Sequence, residues 1–130
     1  MLRIQQKKLC FEEIPEDVFR QALAGRLPEK KAAFPTLTLD QLVPGSVFYD
    51  IDAVWGSQPQ RAWLYPLLKK HGVMIATFVH DIIPITEPQY CYPYTVCQFM
   101  NYAGAVLCCA DSIFVSTQAT ANAVHSLQRQ

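Results

Sequence analysis

The run Val73-Met74-Ile75-Ala76-Thr77-Phe78-Val79 limits the folds open to this chain more than any other stretch. Its residues carry no charge and are mostly β-branched or bulky, the pattern of a strand covered on both faces, as in a parallel sheet packed between helices. The run ends abruptly at His80-Asp81, followed by Ile82-Ile83-Pro84-Ile85. In open α/β sheets the ligand crevice lies beyond the carboxyl ends of the strands, so polar groups delivered there are the first candidates for function.

Around this run the chain alternates between strand and helix patterns. The opening residues to Phe11 place Ile4, Leu9, Cys10 and Phe11 among lysines and glutamines and suggest an edge strand. Pro15-Glu16-Asp17 opens an amphipathic helix with Val18, Phe19, Ala22 and Leu23 on one face and Gly25 as its end. From Arg26 to Leu42, Pro28, Pro35 and the pair Lys30-Lys31 indicate a solvated loop. Pro44-Gly45 forms a turn, and Ser46 to Ile51 reads as a strand ending in Asp50 and Asp52. A helix then carries Leu64, Leu67 and Leu68, with Lys69-Lys70-His71 in its last turn and Gly72 as its left-handed stop. Pro66 either kinks that helix or starts a shorter one.

Beyond the central strand lies a proline-marked loop from Ile82 to Pro93. An uncharged helix over 94–110 follows, with Val96, Phe99, Met100, Ala103, Val106 and Leu107 as its packing face. Asp111 to Val115 reads as another short buried strand, and Ser116 as the cap of a last helix with Ala119, Ala123, Val124 and Leu127 on its apolar side. This alternation predicts an α/β fold: a Rossmann-like three-layer sandwich with a small, mainly parallel sheet and right-handed crossovers, with residues 1–130 as a single domain.

Composition narrows the function classes. Eleven basic residues balance eleven acidic ones in a chain of 130, so no large field gathers nucleic acid or anionic lipid. The five cysteines are odd in number and show neither a Cys-x-x-Cys pair nor a zinc-type histidine spacing, which suggests free thiols in a reducing cytoplasm and no metal site. The amino terminus lacks an apolar run after its charges, so no secretory signal is visible. Pro88 to Ala110 has no formal charge, but Gln89, Pro93, Gln98 and Asn101 interrupt it, and it reads as a buried helix or an interface face rather than a membrane span. It is the segment for a peripheral membrane contact or a contact between copies.

His80 is the first candidate for chemistry, because an imidazole can exchange a proton or hold a hydroxyl near neutral pH and the strand end delivers it to the crevice mouth. A histidine bonded to a nearby carbonyl is the plainer alternative. Asp81 could meet a ligand or cap the turn made by Ile82-Ile83-Pro84. Asp50 and Asp52 would share a side of the sheet if the strand ran on, and could bind sugar hydroxyls, although no third ligand suggests a metal. Trp55 could stack on a sugar ring or anchor its loop. Ser116 and Thr117 could meet a phosphate at a positive helix end or simply cap the helix. No Gly-x-Gly-x-x-Gly, P-loop or Gly-x-Ser-x-Gly motif occurs, and no bound cofactor is expected.

Taken together, Pro44 to Trp55, Leu67 to Val73, Val79 to Ile85 with Pro88, and Ala110 to Ser116 with Thr117 and Thr120 resemble the amino-terminal half of bacterial family 4 glycosyltransferases. The resemblance covers about residues 40–127, best over 44–127, and leaves 1–43 poorly matched. It implies one half of a GT-B enzyme, whose two Rossmann-like domains face a cleft, the first mainly holding the acceptor and the second the nucleotide-sugar donor. By the same resemblance His80 matches the catalytic cleft histidine, and Asp81 with the Ile82 to Ile85 loop borders the acceptor site; the positions of the residues themselves add Asp52 and Trp55 as expected acceptor contacts and Ser116 and Thr117 as expected phosphate contacts. The reaction implied moves a sugar from its nucleotide to a carbohydrate hydroxyl with retained configuration, as in the mannosyltransferases of polysaccharide assembly. Two departures matter: the glycine-rich loop after the first strand is not seen, and the donor-binding half is absent, so the fragment alone is expected to be inactive. Two other readings compete with this one. The chain could be a non-catalytic Rossmann-like partner-binding module using the uncharged helix, or a small α/β enzyme of unrelated chemistry pairing His80 with Asp50 or Asp52.

Overall fold

A computed structural model of the chain describes residues 2–5, 8–12, 14–26, 35–51 and 54–129. The chain divides into two compact units, 1–42 and 43–130.

In the first unit, strand β1 (Leu2–Gln5) pairs antiparallel with β2 (Lys8–Glu12), and β2 pairs antiparallel with β3 (Thr36–Thr38). The stretch expected as one edge strand is therefore a hairpin, with β2 in the middle of a three-stranded sheet. β3 falls in what reads as a loop, since three residues are too few to show an alternating pattern. Helix α1 (Glu16–Leu23) forms where the sequence predicts it. Its first turn carries Glu16 and Asp17, Arg20 reaches back to Glu16 at 2.6 Å, and Gly25 follows it at φ 74°. The Lys30-Lys31 pair lies outside the described residues.

The second unit carries the central run. Strands β4 (Val47–Asp50), β5 (Met74–Val79) and β6 (Ser112–Val115) lie in the order β4-β5-β6, all parallel, with β5 in the middle. Helix α2 (Arg61–Lys70) connects β4 to β5. The short α3 (Ile83–Thr86) and the long α4 (Pro93–Cys109) connect β5 to β6, and α5 (Gln118–Gln128) follows. The architecture is α/β with a small parallel sheet.

Register explains how the layers form. Val47 pairs with Met74 and Tyr49 with Ala76, and on the other side Ala76 pairs with Ser112 and Phe78 with Phe114, so these residues share one face. Asp50, Ile75, Thr77, Val79, Ile113 and Val115 share the other. Strands added in one direction by right-handed crossovers put every helix on the same face. α2 and α4 accordingly bond Asp50 and Thr77, and α5 borders the same space as Ile113, Val115 and Val79. Among the described residues of this unit the result is two layers, one sheet and one set of helices.

The core is built from Leu64, Tyr65 and Leu68 of α2, Ile75, Ala76 and Val79 of β5, and Phe99, Tyr102, Ala105 and Val106 of α4. Several details differ from the sequence reading. α2 runs through Pro66, which is exposed, as is Ala62 one turn earlier, so the carbonyl that loses its partner faces water. The packing face of α4 is rotated: Tyr102 and Ala105 are buried while Met100 is exposed. β6 is a half-exposed edge strand rather than a buried one, and Asp111 precedes it instead of belonging to it. α5 is capped by Thr117, not Ser116, through a 3.1 Å bond from the Thr120 backbone N–H, and it buries Thr120 and Val124 while Ala119 stays exposed.

Gly72 ends α2 at φ 72°, with its N–H donating to the Lys69 carbonyl and that of Val73 to the Leu68 carbonyl. The Gly72 carbonyl then accepts from Gly45 at 2.8 Å, and a Cβ here would come within 3.3 Å of the Pro44 Cβ. This one residue therefore stops the helix and lets the chain pass close beneath the turn that opens β4. No described helix is long and apolar enough to cross a membrane.

Candidate functional site

β5 ends at Val79, and beyond its carboxyl end opens a groove of about 310 Å³. Its walls come from the strand end (Phe78, Val79, His80, Asp81), from α3 and its approach (Ile83, Pro84), from α4 (Phe99, Tyr102), and from Trp55 and Cys91. The strand stops at Val79, and the space beyond its end is bounded by α3, by α4 and by the loop that carries Trp55.

His80 is exposed, and its ring meets Phe78 edge-on at 4.8 Å between centroids. Its position is held through the backbone, because the His80 carbonyl accepts from Ser116 Oγ at 3.3 Å and from Thr120 Oγ1 at 3.4 Å. The start of α5 thus tethers the end of β5 and leaves the imidazole side chain facing the groove. Asp81 lines the groove and uses Oδ1 to accept from the Ile83 N–H at 3.0 Å, which caps the turn into α3 and leaves Oδ2 uncommitted among the described residues.

Trp55 lies in a 3-10 turn at Val54–Gly56, half-buried, with its ring 6.4 Å from that of Phe99. It anchors its loop and lines the groove at once. Ser116 and Thr117 do not line the groove. Ser116 donates to the His80 carbonyl, and the Thr117 hydroxyl is taken up by the Thr120 N–H and by the Thr120 hydroxyl at 2.9 Å. Asp52 lies outside the described residues.

Asp50 is not a crevice residue. It is buried on the helix-covered face and opposite Thr77 in register, three residues and about 10 Å along the strand from His80. Its carboxylate is clamped by Arg61, Nε to Oδ2 at 2.6 Å and Nη2 to Oδ1 at 3.1 Å, and Tyr65 donates to Oδ2 at 2.9 Å. This geometry speaks against Asp50 as the partner of His80 in a small α/β enzyme of unrelated chemistry, the reading that offered Asp50 or Asp52.

The network around Asp50 is the feature that sequence reasoning missed. Arg61 also donates to the Pro59 carbonyl at 2.9 Å, while Thr77 joins Tyr102 at 3.0 Å and lies 3.5 Å from the Tyr65 hydroxyl. No described buried side-chain polar atom is left without a partner. Burial pulls the Arg61 guanidinium down, but the hydrogen bond and charge of Asp50 outweigh it and hold the group above its usual value. Burial pushes the Tyr65 and Tyr102 phenols up, so both stay protonated, and Tyr65 donates to Asp50. The spacing Arg61 to Tyr65, one helical turn, was the available signal. Tyr102 connects the two regions, with its hydroxyl in the network and its ring in the groove wall.

Chemically the groove offers an imidazole, a carboxylate oxygen, the Trp55 indole N–H, the Cys91 thiol and aromatic walls. Among the described residues no three His, Cys, Asp or Glu side chains gather to hold a metal. No protein-family model, no curated protein and no solved structure matches this chain.

Proposed function

We propose that residues 43–130 form the acceptor side of a GT-B glycosyltransferase of the family 4 type, with His80 meeting the acceptor hydroxyl. The observation that carries this reading is an exposed imidazole beyond the carboxyl end of the middle strand of a parallel sheet, beside a groove walled by Trp55, Phe99 and Tyr102.

In the proposed reaction a carbohydrate acceptor docks at the aromatic-walled groove and presents a hydroxyl to His80, with an Asp81 oxygen accepting from a neighbouring hydroxyl. A nucleotide-sugar donor is held by a second domain, which also stabilises the charge on the leaving diphosphate. The residues described here therefore bind and orient the acceptor, in the cytoplasm, and transfer requires the donor side.

The test is an NMR titration with methyl glycosides of common hexoses. The expected result is a shift of the His80 ring and Trp55 indole signals while Trp63, which does not line the groove, stays unmoved. His80→Ala is expected to weaken binding about tenfold, the loss of one hydrogen bond. Silence of both His80 and Trp55 at tens of millimolar glycoside overturns the proposal.

A second reading has an observation of its own. Tyr90, Tyr92 and Tyr94, at and before the start of α4, are 81%, 83% and 69% exposed, as in a surface that meets a partner protein. Concentration-dependent association, lost on changing these three tyrosines to serine, would favour a non-catalytic module.

A further inference from the structure

We infer that the groove at the end of β5 takes an acceptor carrying a compact apolar ring, such as an aryl glycoside, in preference to a bare sugar. The inference rests on the sugar-transfer reading and specifies its substrate class.

Hydrogen-bonding capacity decides the matter. A pyranose offers a hydroxyl at nearly every carbon, and each one taken from water needs a partner. Of the polar side-chain atoms at the groove, the Tyr102 hydroxyl is committed to Thr77 at 3.0 Å and Asp81 Oδ1 to the Ile83 N–H at 3.0 Å. The side chains then leave the His80 imidazole, one Asp81 oxygen, the Trp55 indole N–H and the weakly bonding Cys91 thiol, enough for a hydroxyl or two at the rim but fewer than a pyranose sunk in the groove requires. The rest of the lining is apolar: Phe78, Val79, Ile83, Pro84 and Phe99, together with the ring face of Trp55.

Ring geometry and size point the same way. Trp55 and Phe99 stand 6.4 Å apart and Phe99 and Tyr102 5.8 Å apart, tilted or edge-on, an array that an aromatic ring extends with further edge-to-face contacts. A volume of about 310 Å³ lies at the lower end for small-molecule sites, so it suits one ring and not a long alkyl chain. The apolar ring would lie against Trp55 and Phe99, leaving the sugar hydroxyls at the mouth, where His80 and Asp81 meet one of them and water meets the others.

The experiment compares phenyl and methyl glycosides of one hexose, binding to the whole chain and followed at the Trp55 indole, the His80 ring and Trp63. The phenyl glycoside is expected to bind about tenfold or more tightly, and Trp55→Leu to narrow that ratio to about threefold. Because the ratio is taken within one variant, partial unfolding of that variant does not alter it. Equal affinities for the two glycosides, with Trp55 and His80 still shifting, overturn the apolar-ring preference and leave the sugar-transfer reading standing. Shifts at Trp63 in place of Trp55 put the ring elsewhere and overturn the inference. If neither glycoside moves Trp55 or His80, both conclusions fall together.

Discussion

The two faces of the parallel sheet are built from alternate residues of the same strands, yet they are chemically opposite. The face under the helices mixes Ile75 and Val79 with Asp50 and Thr77, and Arg61, Tyr65 and Tyr102 close over it in a network with every polar atom paired. The other face carries Val47, Tyr49, Met74 and Phe114, which are 59%, 55%, 46% and 48% exposed, with no charged side chain among them. Polarity is thus greatest where water is excluded and least where water has access. Burial therefore does not follow from hydropathy here. It follows from topology, because three strands laid down in one direction recruit their helices to one side. A buried charge survives on that side only because its partners arrive with the helices.

The comparison is tested most severely by removing one partner of the ion pair. Arg61→Met keeps the stem but leaves the Asp50 carboxylate buried with only Tyr65 donating to it. A loss of about 3–5 kcal/mol in unfolding free energy is expected, read as a lower urea midpoint. A loss within about 0.5 kcal/mol would mean that Asp50 reaches water and that the two faces do not differ as described.

A smaller effect follows from the phenols of the covered face. Tyr65 and Tyr102 have folded pKa values raised by burial above the usual value of about 10. The unfolded chain then loses these protons at lower pH than the folded one, so their contribution is complete below about pH 10 and is lost as pH rises toward the folded values. Unfolding midpoints should fall above pH 10, with tyrosinate absorbance from these two residues appearing together with unfolding. Tyr65→Phe should reduce that alkaline slope. Ionisation of both phenols before unfolding would place them in contact with solvent.

How much of this was legible depended on whether the signal was local. The β5 strand showed itself as a continuous apolar run, the end of α2 as Lys69-Lys70-His71-Gly72, and the position of His80 followed from the strand end. Trp55 beside the groove was legible as well, since it comes soon after β4 ends. The face of α4 was misjudged because Tyr102 scores as half-polar, and only the Thr77 hydroxyl, 25 positions away, makes it a core residue. Asp50 read as a crevice acid because nothing near it in sequence announces Arg61 across the turn. The one-sided covering could not be read from β5 at all, since Met74 and Phe78 are as apolar as Ile75 and Val79. What decides it is the order of strands, a property of no single segment.

The smallest effects belong to the exposed face. Val47→Thr and Phe114→Ser remove apolar surface that is already about half in water, so little burial is lost with it. Each is expected to change the unfolding free energy by about 0.5 kcal/mol or less, although the edge-on contact of Phe114 with Tyr49 at 5.9 Å puts Phe114→Ser at the upper end. The same substitutions measure what the face does in solution. If the chain is monomeric, sedimentation is unchanged by either variant. If the face is covered by another copy, both variants weaken association while Arg61→Met weakens folding, and the two losses separate by their dependence on protein concentration. A cost above about 2 kcal/mol for Val47→Thr in a dilute monomer would show that this surface is packed within the chain, and the contrast between the two faces would then be one of chemistry alone.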